Sequence, residues 1–97
     1  MVKKQKEIAY KVFDGNTENY NIQKCIEELQ ELSLVLTQQL NKPNKDYHLD
    51  IIDEIGDVKI RIWYLERKYT KKLIKLRIKN KLKKLIDNVI NRRHSNK

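Results

Sequence analysis

Ile51-Ile52-Asp53-Glu54-Ile55-Gly56-Asp57-Val58-Lys59-Ile60-Arg61-Ile62-Trp63-Tyr64-Leu65 is the stretch that decides the fold. In it and just beyond, Ile51, Ile55, Val58, Ile62, Leu65 and Tyr69 recur at four-three-four-three-four. That is the a/d spacing of a helix packed on another helix. A half-buried strand would alternate with period two, and no such alternation occurs in the chain. The spacing predicts a helix over 47–68. Asp46 is its expected N-cap, and Asp50 and Asp53 suit the positive end of the helix dipole. Tyr69-Thr70 marks the far boundary, with Thr70 the expected N-cap of the next helix.

The same logic extends in both directions. Upstream, Ile22, Cys25, Ile26, Leu29, Leu32, Leu36 and Leu40 fall three or four apart, and Leu34 and Val35 widen the stripe. They predict a helix over 18–41. Asn41-Lys42-Pro43-Asn44-Lys45-Asp46 ends it, because proline lacks an amide and biases its predecessor away from helix. Residues 3–13 predict a short helix with Ile8 and Val12 facing inward, joined by Tyr10 or Phe13. Asp14-Gly15-Asn16-Thr17 breaks it, with Gly15 as C-cap and Asn16 or Thr17 as the next N-cap. Downstream, Leu73, Leu76, Leu82, Leu85, Ile86, Val89 and Ile90 predict a helix over 71–93. Arg92, Arg93 and His94 suit its negative pole. Short links favour antiparallel neighbours. The expectation is an all-α antiparallel bundle of about four helices forming one domain, residues 1–97.

Composition narrows the class. In 97 residues, only 39% of them hydrophobic, there is room for one small core, so completion of the core by oligomerisation is expected. The single cysteine, Cys25, excludes an internal disulfide framework and a multi-cysteine zinc site. Its position on the apolar stripe predicts a small core residue, and a lone thiol is compatible with a reducing, cytoplasmic setting. No apolar run approaches the roughly 20 residues of a membrane span, so no membrane partner is expected. Met1-Val2-Lys3-Lys4-Gln5-Lys6-Glu7 has a basic start without the apolar stretch of a secretory signal. His48 and His94 lack metal-ligand spacing and are expected on the surface.

The formal charge of +9 is unevenly spread. Residues 1–66 hold 9 basic and 12 acidic side chains, whereas residues 67–97 hold 13 basic ones and a single acid, Asp87. A basic segment of this kind points to nucleic acid or to a solvated lysine-rich face. The acids of the first part are ordered. Glu28 and Glu31 lie three apart on one helix, Glu54 and Asp57 three apart on the next, and Asp50 precedes Glu54 by four. Each spacing puts like charges on one face, which destabilises an isolated helix by a few tenths of a kcal/mol per pair. If the two helices pack antiparallel, the acidic pairs meet at one level. A site of converging carboxylates suits a hard divalent cation, Mg²⁺ or Mn²⁺.

The pattern Glu27-Glu28-x-x-Glu31, 22 intervening residues, then Glu54-x-x-Asp57 resembles the motif of the MazG-like all-α nucleoside triphosphate pyrophosphohydrolases. That superfamily also includes dimeric dUTPases and dCTP-cleaving enzymes. Ile22 to Leu32 resembles the family's first core helix, and Asp53 to Val58 its second, with Gly56 where a small residue is usual. Lys79-Asn80-Lys81-Leu82-Lys83-Lys84-Leu85 resembles the basic segment that follows. The likeness covers roughly residues 8–90.

The resemblance implies Mg²⁺-dependent hydrolysis of an NTP or dNTP to the monophosphate and pyrophosphate, by a homodimer or homotetramer. It implies Glu28, Glu31, Glu54 and Asp57 as metal ligands. Glu27 would stand behind the ligands and steady them, or act as a base that orients water. Lys79, Lys81, Lys83 or Lys84 could cover phosphate oxygens the metal does not reach. Some residues depart from the pattern. Arg61 follows Asp57 by four and could pair with it, Lys24 precedes Glu28 by four and could do likewise, and Lys59 makes this helix more basic than the family pattern. Trp63 and Tyr64 either stack on a base or fill an interface. Two rival readings are a helical nucleic-acid-binding or regulatory protein using residues 67–97, and a degenerate family member acting through protein contacts.

Overall fold

A computed structural model describes residues 2–95. They form four α-helices: α1 (Val2–Asp14), α2 (Glu18–Asn41), α3 (His48–Lys68) and α4 (Lys71–Ser95). No strand occurs among the described residues, so the chain is all-α. It divides into two compact units, Met1–Leu65 and Glu66–Lys97.

Local chemistry accounts for the breaks. The Gly15 amide donates to the Lys11 and Val12 carbonyls at 3.1 and 3.2 Å, and Asn16 Nδ2 donates to the Val12 carbonyl at 2.9 Å. These bonds satisfy orphan acceptors at the end of α1. Gly15 closes the helix without entering the left-handed region. Of the two candidate caps for α2, Thr17 takes the role, accepting from the Tyr20 amide through Oγ1 at 3.1 Å. Asp46 falls one residue short of the expected cap position: its Oδ1 accepts from the His48 amide at 2.9 Å, while the Tyr47 carbonyl takes the first helical bond of α3, from Ile51. Thr70 does not repeat the Thr17 pattern. Its φ of 70° lies in the left-handed region, and its carbonyl accepts from Leu73 and Ile74. For a β-branched residue that backbone costs about 1–2 kcal/mol.

In the first unit, Ala9 and Phe13 of α1, Cys25 of α2 and Tyr64 of α3 form the buried core. Phe13 is 1% exposed and meets Tyr64 edge-on, with ring centroids 5.4 Å apart at 76°. Tyr10, Ile22, Trp63 and Leu65 pack around them. Asn21 is buried too, because its Nδ2 donates to the Phe13 carbonyl at 2.9 Å and ties α1 to α2. Helices α2 and α3 run antiparallel. Cys25 Sγ donates to the Arg61 carbonyl at 3.6 Å, while Gln39 and Leu40 share a cleft with Tyr47, His48 and Ile51. Advancing along α2 therefore means retreating along α3.

Two expectations need correction. Ile8 and Val12 are exposed; Ala9 faces inward instead, beside Phe13, one of the two aromatics expected there. The small Ala9 lets the helices approach, and the larger Phe13 fills the space one turn on. The α3 seam is only half covered: Ile51, Val58 and Leu65 are partly buried, but Ile55, Ile62 and Tyr69 are exposed. Three short helices share one interior line, and on α3 Tyr64 occupies it. Tyr64 and Trp63 thus serve as packing residues.

In the second unit α4 exposes Leu73, Leu76, Ile78, Leu82, Leu85, Ile86 and Ile90. The surface expectation for His94 falls on a side chain outside the described residues.

Because Phe13 is the only fully buried large side chain among the described residues, Phe13→Ala should cost about 3–5 kcal/mol. That is a large share of the stability of so small a unit. Urea denaturation followed by circular dichroism should show the variant largely unfolded or with a sharply lowered midpoint. A near wild-type midpoint would contradict this core.

Candidate metal centre

The α2–α3 registry that brings Cys25 to Arg61 carries Glu28, one turn further along α2, towards Asp57 and Glu54, one and two turns earlier on α3. Glu28, Glu54 and Asp57 each offer a carboxylate oxygen within 4.8 Å of the other two. Glu28 and Glu54 are half-buried, and Asp57 is exposed. Glu31 is exposed and lies outside this three-membered group, but its charge acts on both Glu28 and Glu54. All four carboxylates quoted from the motif therefore interact.

The electrostatics are those of uncompensated negative charge. Burial pushes the Glu28 carboxyl above its ordinary value of 4.5, and Glu31 and Asp57 push it further, while Arg61 pulls it back. Burial likewise raises Glu54, helped by Glu31, Asp57 and Glu28. Glu28 Oε2 and Glu54 Oε2 are buried without a hydrogen-bond partner. A buried carboxylate oxygen left without a donor is costly, and a divalent ion relieves both that deficit and the mutual repulsion. The donor set is entirely hard oxygen, which fits Mg²⁺ or Mn²⁺ rather than a thiophilic metal.

The neighbours of the cluster differ from simple helix-spacing expectations. Lys24 pairs with Glu27 at 2.9 Å and not with Glu28, so Glu27 is exposed, engaged, and outside the group of three. No ion pair joins Arg61 to Asp57 among the described residues; the charge of Arg61 acts on Glu28 instead. Lys59 is exposed and lines a groove of about 500 Å³ between α1 and α3, together with Ile8, Val12, Ile60 and Trp63. None of the clustered acids lines that groove. Gly56 does line it, and a Cβ there would meet nothing within 4 Å, so packing inside this unit does not demand a small residue. Burial raises the Cys25 thiol pKa, which suits an inert core residue. Lys79, Lys81, Lys83 and Lys84 are exposed on α4, in the other unit.

Asn21 is the residue of this region that sequence reasoning missed. It precedes Cys25 by four and Glu28 by seven, so helical spacing placed it on the inward stripe, where a polar residue is easily passed over. No family model matches the chain, and neither the curated proteins nor the solved structures contain a match.

Raised carboxylates set the sign of the pH dependence. A folded-state pKa above the unfolded one means the folded protein binds more protons between the two values, so stability falls as pH rises through that window. Glu28→Gln removes the charge and should raise the melting temperature of the metal-free protein at pH 7. The gain should vanish below about pH 4, where the wild-type carboxyl is protonated in both states. Thermal melts of both proteins across that range check this, and a variant less stable than wild type at pH 7 would contradict the repulsion.

Proposed function

We propose that the chain is a Mg²⁺-dependent hydrolase of the MazG-like kind, converting an NTP or dNTP and water into the monophosphate and pyrophosphate. The observation that carries this reading is the meeting of Glu28, Glu54 and Asp57 within 4.8 Å, with the charge of Glu31 acting on Glu28 and Glu54. A triphosphate and four carboxylates repel one another and can share a site only with cations between them. Bound Mg²⁺ or Mn²⁺ supplies phosphate neutralisation, an activated water and stabilisation of the departing pyrophosphate.

The chain's own side chains take separate roles. Glu28, Glu54 and Asp57 hold the ion, and Glu31 completes the set. Glu27 orients the attacking water, its carboxylate positioned by Lys24. Lysines among Lys79, Lys81, Lys83 and Lys84 are the further candidates for phosphate oxygens that the metal does not reach. The working form is a homodimer or homotetramer. Exposed Ile26, Leu29, Leu36 and Leu40 on α2 and Ile55 and Ile62 on α3 supply apolar surface for such an assembly.

Purified protein supplied with each canonical NTP and dNTP plus Mg²⁺ should release pyrophosphate from at least one of them. Glu28→Ala and Asp57→Ala should each lower kcat/KM by roughly 100-fold or more. Sedimentation at assay concentration should give a dimer or tetramer. Absence of turnover across the whole set by a folded, metal-loaded protein would overturn the activity, and an active monomer would overturn the assembly.

A second reading draws on α4, whose ten lysines and arginines face a single acid, Asp87. A nucleic-acid-binding helix of this kind releases counterions when it binds. Duplex DNA affinity should then fall steeply with salt, with a log-log slope near −0.9 per phosphate contact. A shallow slope would leave α4 a solvated face.

A further inference from the structure

Arg61 is the cation that the carboxylate cluster leaves unused. It stands one helical turn after Asp57 on α3 and is half-buried. Its backbone carbonyl is held by Cys25 Sγ at 3.6 Å, which anchors this turn of α3 to α2 beside the cluster. Among the described residues it forms no ion pair, although its charge is felt at Glu28, Cys25 and Lys24. It also lines the groove between α1 and α3, beside Gly56, Lys59 and Trp63. A guanidinium one turn from Asp57, whose charge is felt by Glu28, would ordinarily close a two-pronged bond on a carboxylate. Here its donors stay free of carboxylate while Glu28 Oε2 and Glu54 Oε2 have no donor at all.

That division of labour has a chemical reading. Carboxylate oxygens without donors suit a cation, and a guanidinium without a carboxylate suits an anion. We infer that Arg61 contacts a phosphate group of the substrate, adjacent to the ion held by Glu28, Glu54 and Asp57. The inference rests on the metal-dependent reading above and adds a phosphate ligand on α3, in the same compact unit as the acids. Lysine at this position would keep the charge but lose the planar fork, so the two cations are not equivalent.

The alternative role for Arg61 is charge balance within the cluster, which leaves tripolyphosphate affinity at saturating Mn²⁺ unchanged when the charge is removed. Mn²⁺ binding to the full-length chain is followed by electron paramagnetic resonance, first alone and then with inorganic tripolyphosphate. The same titrations are run on Arg61→Gln and Arg61→Lys, with circular dichroism confirming the fold. If Arg61 contacts phosphate, Arg61→Gln binds Mn²⁺ as well as wild type or more tightly, because a neighbouring positive charge is gone. Its affinity for tripolyphosphate at saturating Mn²⁺ falls by about tenfold or more, and Arg61→Lys falls between. Unchanged tripolyphosphate affinity in Arg61→Gln, with Mn²⁺ bound, overturns the inference and leaves the metal site standing. Failure of the folded wild-type chain to bind Mn²⁺ overturns the metal reading itself, and this inference with it.

Discussion

The antiparallel registry of α2 on α3 is the constraint on which the rest depends. It is set at one end by a small core. Cys25 is buried against Phe13 and Tyr64 and bonds to the Arg61 carbonyl, and Asn21 ties the end of α1 to α2. Once Cys25 stands opposite Arg61, helical geometry leaves no freedom over the next turn, and Glu28 must come up against Asp57 and Glu54. A one-residue slip on either helix would rotate an acid away by about 100°. The acids do not choose their meeting; the aromatic core imposes it.

The energetic consequence is a local conflict inside a marginal fold. Raised Glu28 and Glu54, two buried oxygens without donors and four mutually repelling carboxylates all act against the unit that contains them. The opposing term is modest, since among the described residues few side chains are buried and many large apolar ones are exposed. A bound cation would relieve that conflict, which is what the proposed function requires of the cluster. Charge is separated along the chain as well. The acids converge in the first unit, and the excess of lysine and arginine lies in the second.

Much of this was legible in the residues themselves. The four helices lie within two residues of the ranges read from apolar periodicity and breakers, and Thr17 caps as its chemistry suggests. The two Glu/Asp pairs at three-residue spacing pointed to the cluster, because spacing alone puts each pair on one face. Packing partners were less legible. Periodicity marks an apolar face but does not say which row of it meets a neighbour, so Ile8 and Val12 stood in for Ala9 while Phe13 was named only as an alternative to Tyr10, and the seam of Ile55 and Ile62 stood in for Tyr64. Long cationic side chains were the least legible. Lys24 had Glu27 and Glu28 both within reach, and Arg61 had Asp57, but rotamer choice rather than helical spacing decided between partners. Thr70 had the right side chain for a cap, and its left-handed backbone was not visible in the residue types.

The central claim is that Glu28, Glu54 and Asp57 jointly hold one divalent ion, with Glu31 beside them. Anomalous diffraction from crystals of the full-length protein soaked in Mn²⁺ tests it most directly, because the scattering locates the ion without reference to turnover. The account predicts a strong peak between α2 and α3 within about 2.0–2.4 Å of oxygens from at least three of these carboxylates. A map without a peak there, in crystals where the four side chains turn away from one another into solvent, would contradict it.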